Sequence, residues 1–275
     1  VTDGGDGRPD LGLGRAHTAR IYDYLLGGKD NYAADREAAA LALRVQPHAR
    51  TVAHANRAFM HRVTRVLAAE YGVRQWLDIG TGIPTRPNLH EVAQSVAPEA
   101  RVVYVDNDRV VLAHATALLG SAPEGRTAYV HADATRPRAV LEAPELAETL
   151  DLDRPVALSL NALLHFLPGD PRDVVGPLMD ALPSGSVLAL THATRDLAPE
   201  MWDAIAAIYR GAGNPLYLRT HAEVRGLFDG LDMVAPGLVI AHRWRPQHVG
   251  TGATAATAAV TDADVSLWAG VGVKP

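Results

Sequence analysis

Three apolar runs in this chain end on a carboxylate at nearly constant spacing. Trp76-Leu77-Asp78-Ile79 leads into Gly80-Thr81-Gly82, Arg101-Val102-Val103-Tyr104-Val105 closes on Asp106 and Asn107, and Thr127 to Ala132 closes on Asp133 and Ala134. The acids stand 28 and 27 residues apart. A buried strand followed by a glycine turn lets backbone approach a nucleotide-like ligand, because Gly80 and Gly82 present no Cβ. A carboxylate at a strand end can accept hydrogen bonds from both hydroxyls of a ribose, each charge-assisted bond being worth about 1.5–3 kcal/mol. Asp106 is placed for that work, although Asp106-Asn107-Asp108 also precedes a helix, so capping is the competing role. The glycine turn alone would equally serve a nicotinamide enzyme or a plain tight turn. A fourth run ends in Ser159-Leu160-Asn161-Ala162-Leu163-Leu164-His165-Phe166, where Asn161 and His165 are the polar residues among apolar neighbours. His165, together with His192 at the end of a fifth run, is a candidate proton acceptor; the alternative for each is a core or rim histidine.

The spacing predicts which elements carry these residues. Strands are expected over 75–79, 101–105, 127–132, 155–160, 185–191, 231–239 and 267–273. Helices fall between them over 89–96, 109–119, 139–150 (broken), 171–182, 199–210 and after Thr220. Asn88 with Glu91, and Thr220 with Glu223, have the spacing of capping boxes. Alternating strands and helices with crossovers of about a dozen residues or more imply a parallel sheet covered on both faces. Three further helices precede the first strand, over 19–26, from 33 to before Pro47, and over 50–71. The last carries Val52, Phe59, Val63, Val66 and Leu67 on one stripe and stops at Gly72. The expected organisation is a flexible leader over 1–18, a helical cap or lid over 19–72, and a ligand-binding unit over 73–275 with a mobile loop near 246–264.

Composition narrows the chemistry. The 275 residues can bury a sizeable core, and 48% hydrophobic with 21% charged residues is ordinary globular usage. A net charge of −5 without a basic run points away from nucleic acid and from membrane surfaces. With no signal peptide and no bilayer-length apolar run, the expected location is cytoplasmic. No cysteine is present, which removes thiolate-held iron–sulfur clusters, cysteine nucleophiles and disulfide scaffolds. The 12 histidines lack ligand spacing, so no metal is expected. Oligomeric state cannot be read from the sequence.

Taken together, the three acid-ended runs resemble the cofactor half of a class I S-adenosylmethionine (SAM) methyltransferase. Longer strings are similar to one bacterial group, the S-adenosyl methyltransferase family once catalogued as a domain of unknown function. They are Ala19-Arg20-Ile21-Tyr22-Asp23-Tyr24-Leu25-Leu26-Gly27-Gly28-Lys29-Asp30-Asn31-Tyr32, Asp78-Ile79-Gly80-Thr81-Gly82-Ile83-Pro84-Thr85, Val103-Tyr104-Val105-Asp106-Asn107-Asp108, His242-Arg243-Trp244-Arg245-Pro246, and Gly270 to Pro275.

The resemblance implies a Rossmann-like α/β sheet of order 3-2-1-4-5-7-6 with an antiparallel last strand, SAM as cofactor and S-adenosylhomocysteine (SAH) as product. It implies no acceptor; a small-molecule substrate is the expectation. On that footing Asp78 would lie near the methionine ammonium or only brace the turn. Asp133, with the Ala134 amide, would meet adenine, and Gly80, Thr81, Gly82, Asn107 and Asn161 would line the cofactor. Two prolines, Pro84 and Pro87, stiffen the loop where a further glycine is usual and remove amide donors. Tyr22, Gly28, Lys29, Asn31 and Tyr32 could compensate as a lid or form a plain helix connection, with Phe166 as substrate lining. The remaining readings are a non-catalytic SAM-binding regulator and a nicotinamide oxidoreductase. The latter fits less well, because lysine occurs only at 29 and 274 and no Tyr-x-x-x-Lys pair exists.

Overall fold

The computed structural model describes residues 14–118, 120–246 and 260–275. Three helices come first: α1 (Thr18–Leu25), α2 (Ala33–Val45) and α3 (Ala49–Ala69). Strands and helices then alternate as β1 (Gln75–Ile79), α4 (Leu89–Gln94), β2 (Arg101–Asp106), α5 (Arg109–Leu118), β3 (Arg126–His131), α6 (Pro137–Leu141), α7 (Pro144–Thr149), β4 (Ala157–Leu160), α8 (Arg172–Asp180) and β5 (Val187–Ala193). The chain finishes with α9 (Pro199–Gly211), α10 (His221–Arg225), β6 (Asp232–Met233), β7 (Val239–Ile240), α11 (Asp262–Val265) and β8 (Leu267–Val273).

The sheet runs β3-β2-β1-β4-β5-β8-β6, with β7 also pairing β8. β1 to β5 are parallel, and β8 lies antiparallel to β5 from Val187↔Val273 to Ala193↔Leu267. This is the expected class I order, with one correction of detail: the run 231–239 is two short strands rather than one. Gly237, at φ 88°, donates its amide to the Val234 carbonyl and turns the chain between them. The expected leader and loop fall mostly on residues 1–13 and 247–259, which lie outside the described residues. Two corrections apply at their margins. His17 caps α1 and Thr18 begins it, so the cap starts earlier, while 262–265 is helix rather than loop.

Strand residues alternate between two cores. Trp76, Val102 and Tyr104 pack with α3 and α4 on one face; Leu77, Ile79, Val103 and Val105 pack with α6, α7 and α8 on the other. Burial on both faces is why these strands read as continuous apolar runs. Both capping boxes form: the Asn88 amide donates to Glu91 Oε2 at 2.6 Å and the Thr220 amide to Glu223 Oε2 at 2.8 Å. The cap helices share their own small core, including Ile21, Leu25, Ala39 and Ala53, and α2 leans on α9.

Candidate active site

The carboxyl ends of β1 to β4 and the cap enclose a cavity of about 290 Å³. The sheet contributes Asp78, the 80–82 turn, Asp106, Asn107, Asp133, Ala134 and Asn161; the cap contributes His17, Tyr22, Asn56 and Arg57; Tyr209 and Asn214 close the side. Every residue expected to touch the cofactor therefore lines one space, as do Tyr22 and Phe166.

The glycine turn is held for close approach. Gly80 and Gly82 sit at φ 75° and 68°, where a side chain is strained, and a Cβ on Gly80 would come within 2.7 Å of Leu163 Cδ1. The Gly80 amide donates to the Val105 carbonyl, and the Gly82 amide to Asp106 Oδ2 at 2.8 Å. Asp106 Oδ1 accepts from the Asp108 amide at 2.9 Å. Asp106 thus organises two loops, and each oxygen keeps a lone pair for a ligand hydroxyl. Asp108, in turn, caps α5 through the Val110 amide. Burial pushes the Asp106 pKa up, opposed by those backbone donors.

Asp78 is buried to a similar degree, and desolvation pushes its pKa up to about 6 despite hydrogen bonds from Ser159 and Thr81. Asn161 donates to Ser159 Oγ at 2.7 Å, while its Oδ1 is buried without a partner. A cavity-lining acceptor left unpaired in the protein is an opening for a ligand donor. Asp133 Oδ1 accepts from the amide and hydroxyl of Thr135 at 2.9 and 2.8 Å, which leaves Oδ2 free of protein hydrogen bonds.

Arg57 is a residue the sequence reading missed. From α3 it donates to the carbonyls of Thr85 and Pro87, the latter at 2.7 Å, and so pins the proline loop while lining the cavity. Burial lowers its pKa, and the charges of Tyr22 and Asp78 partly offset that. The Arg or Lys that lines this cavity is on α3, not in the Gly-Gly-Lys-Asp-Asn turn. A signal did exist: Asn56 interrupts the apolar stripe at a core position, four residues after Val52 and three before Phe59.

Gly28, Lys29, Asn31 and Tyr32 are corrected to structural positions; none lines the cavity. The turn wraps the buried Asp23 carboxylate, which accepts from the Asp30 amide at 2.9 Å and Asn31 Nδ2 at 2.8 Å. A Cβ at Gly28 would lie 1.9 Å from Asp23 Oδ1, so glycine is required there. Lys29 is exposed, and Tyr32 caps α2 with Arg20 over its ring. Arg20 itself lies 3.7 Å from both Asp35 and Asp108, an internal ion cluster.

His192 is also corrected. It is fully buried, does not line the cavity, and both nitrogens are engaged: Nδ1 with the Ala193 carbonyl at 2.8 Å, Nε2 with Arg219 at 2.9 Å. Burial lowers its pKa to about 4. His165 lies one layer behind the main cavity. Its Nδ1 accepts from the Ala193 amide at 3.2 Å, so the neutral ring carries its proton on Nε2. Burial, with His192 and Arg219 nearby, holds its pKa well below the usual range. That ring is a hydrogen-bond donor rather than a base.

A polar relay ties the cap to the sheet. The Ala162 amide donates to Thr191 Oγ1 at 2.7 Å, and Thr191 to Asn56 Oδ1 at 2.7 Å. Asn56 Nδ2 donates to Tyr22 Oη at 2.8 Å, and Tyr22 to the Ala53 carbonyl at 3.0 Å. Ala162 is held at φ 52°, strained for a residue with a Cβ.

A strand-edge cavity with a glycine turn, and acids at or just beyond the ends of β1, β2 and β3, places the protein among the nucleotide-binding open α/β sheets. The chain belongs to the S-adenosyl methyltransferase family, whose profile matches residues 6–275. It is accordingly a SAM-dependent methyltransferase with SAM as cofactor. It is similar to a DUF574 family protein from Streptomyces avermitilis, at 48% identity over 96% of this chain and 100% of that one, with a TM-score of 0.91. It is also similar to a candidate methyltransferase from Thermobifida fusca, at 38% identity over 98% of each chain, with a TM-score of 0.86. A more distant likeness concerns the fold alone: a SAM-dependent methyltransferase from Anabaena variabilis, at 13% identity over 76% of this chain and 80% of that one, TM-score 0.50. No curated protein is significantly similar to the chain.

Proposed function

We propose that the protein methylates a compact small molecule bound beneath the helical cap. The observation that carries this reading is the cover: α1 and α3 bring His17, Tyr22, Asn56 and Arg57 to the strand ends, leaving a partly covered cavity. A space of that kind suits a partly apolar metabolite better than a polymer. The net charge of −5 supplies no electrostatic footprint for nucleic acid.

The residues fit SAM part by part. Asp106 would accept from the ribose hydroxyls, and Asp133 with the Ala134 amide would meet adenine. Asp78 and the unpaired Asn161 Oδ1 would receive the ammonium, and Arg57 would serve the carboxylate. When bound, SAM supplies an electrophilic methyl group. The chain's part is to hold the acceptor in line with that methyl and keep water out; such orientation can contribute several kcal/mol, roughly 7–11 at the most favourable. His165 presents N–H to the acceptor side, so the acceptor brings a lone pair that needs no strong protein base.

The test is methyl-labelled SAM incubated separately with a metabolite extract, total RNA and a proteome. Label is expected in small molecules. Label confined to RNA or protein would overturn the reading.

A further inference from the structure

Behind the main cavity lies a second chamber of about 80 Å³, which shares Tyr22, Phe166 and Tyr209 with it as a common aromatic wall. Its lining is otherwise largely aliphatic, from α2, α3, α9 and Leu267. Four side chains break that pattern: Asn56, whose amide is taken by Tyr22 and Thr191, and three others that offer N–H groups. Gln46 is 3% exposed with Nε2 buried and unpaired, and Trp202 is 5% exposed with its indole Nε1 buried and unpaired. His165 is 5% exposed, and Nε2 carries the ring proton without a partner among the described residues, because Nδ1 is taken by the Ala193 amide. Trp76 and Trp244 also bury unpaired indole N–H groups, but neither lines either of these two chambers.

Unpaired buried donors are costly, and two in one chamber, beside the His165 N–H, call for an oxygen with lone pairs to give. The chamber holds no cation: Arg57 lines the main cavity only. An anion there would lose its hydration with no counter-charge, so a carboxylate is disfavoured and a neutral oxygen favoured. The volume is about half that of an engineered cavity that admits benzene, which suits a carbonyl group and its nearest carbons. The aromatic wall, where the Phe166 and Tyr209 rings stand 6.0 Å apart, is left for a ring at the mouth.

We propose that this chamber is the specificity pocket for the methyl acceptor, and that it takes the carbonyl end of a neutral, ring-bearing molecule through Trp202, His165 and Gln46. The assignment rests on the methyltransferase reading for the word acceptor, but not for the binding itself.

Acetophenone, α-methylstyrene and benzoate probe it directly. The first two have the same shape but exchange C=O for C=CH₂, and the third adds a charge. Each is titrated into the nitrogen-15-labelled protein with and without saturating SAH, following the indole N–H signals of the four tryptophans. The Trp202 signal is assigned by its loss in Trp202→Phe. Acetophenone is expected to shift that signal and to bind about tenfold more tightly than α-methylstyrene, with benzoate weakest. Gln46→Met and His165→Phe should each lower the ketone preference severalfold while leaving α-methylstyrene binding in place. Equal affinity for ketone and alkene, tighter binding of benzoate, or no binding by any probe up to its solubility limit would each overturn the proposal. A separate calorimetric titration reads SAH. If SAH fails to bind while acetophenone still moves the Trp202 signal, the cofactor reading falls and the carbonyl pocket stands.

Discussion

Asp78 and Asp106 stand near the ends of neighbouring strands, and burial pushes the pKa of both up, opposed at Asp106 by backbone amides and at Asp78 by side-chain donors. Asp106 repays its burial by accepting the Gly82 and Asp108 amides. Asp106→Ala is therefore expected to weaken SAH binding about thirtyfold, on the order of 2 kcal/mol, and also to lower thermal stability by exposing two unpaired N–H groups. Calorimetry and melting of the same samples check both halves. At Asp78 desolvation lifts the pKa to about 6, above an unfolded value of about 3.9. The folded protein then holds that proton more tightly, so the contribution to stability is full below about pH 4 and lost as the pH rises through about 6. Asp78→Asn is expected to be more stable than the parent at pH 8, by about 2–3 kcal/mol, with the difference gone below pH 4. Its SAH affinity should be lower and nearly independent of pH, whereas the parent's falls as the pH drops through 6. Denaturant titrations at pH 4 and pH 8 decide the first claim, and calorimetry at the same values the second.

Helix α3 is the element on which the site depends most. One face enters the core through Phe59, Val63 and Leu67, while the adjoining turn presents Asn56, Arg57 and Met60 to the cavity. Asn56 joins α3 to α1 and β5 by pairing Tyr22 and Thr191, and burial raises the Tyr22 pKa to about 12, so that hydroxyl stays protonated throughout the working range. Asn56→Leu leaves two buried hydroxyls short of a partner. A loss of about 2–4 kcal/mol in unfolding free energy is the expected outcome, against at most about 1 kcal/mol for Asn56→Asp at low pH, where a protonated acid can still bridge them. Arg57→Leu should act on binding instead: SAH affinity falls at least tenfold, with the proline loop released from α3. Amide exchange at Ile83, Thr85 and Arg86, unchanged in this variant, would show that Arg57 does not pin the loop.

At the scale of the whole molecule, α3 is anchored in the sheet's core through Phe59, Val63 and Leu67, and α1 is the part of the cap with little area of its own. Around α1, His17 Nδ1 lies 3.2 Å from Asp108, Arg20 lies 3.7 Å from Asp35 and from Asp108, and Asn214 donates to the Ala16 carbonyl at 2.9 Å. A small core of alanines with Ile21 and Leu25 adds modest apolar burial. Segments held in this way open more readily than the sheet beneath them. We expect the amides of α1 and the first turns of α3 to exchange faster than those of β1 and β4 in the free protein, and to gain protection when SAH fills the cavity beneath them. Exchange in α1 that saturating SAH leaves unchanged would make the cap a fixed roof instead of a lid.

Much of this was legible in the chain because its signals are local. Strand burial on two faces writes continuous apolar runs, capping boxes need only residues three apart, and a glycine turn next to an acid is visible in a dozen letters. Asp78, Asp106, Asp133 and Asn161 were found because each sits at a strand end, and the strand order follows from parallel crossovers. What remained hidden depends on contacts between residues far apart in sequence. Nothing near Lys29 shows that its turn wraps Asp23 instead of facing the cavity, and nothing near Arg57 shows that it meets a loop 28 residues away. The proton on His165 is settled by an amide at Ala193. Local sequence determines which elements form and which of their ends carry acids. Only packing decides which side chains share a cavity, which are desolvated, and hence which hold or give a proton.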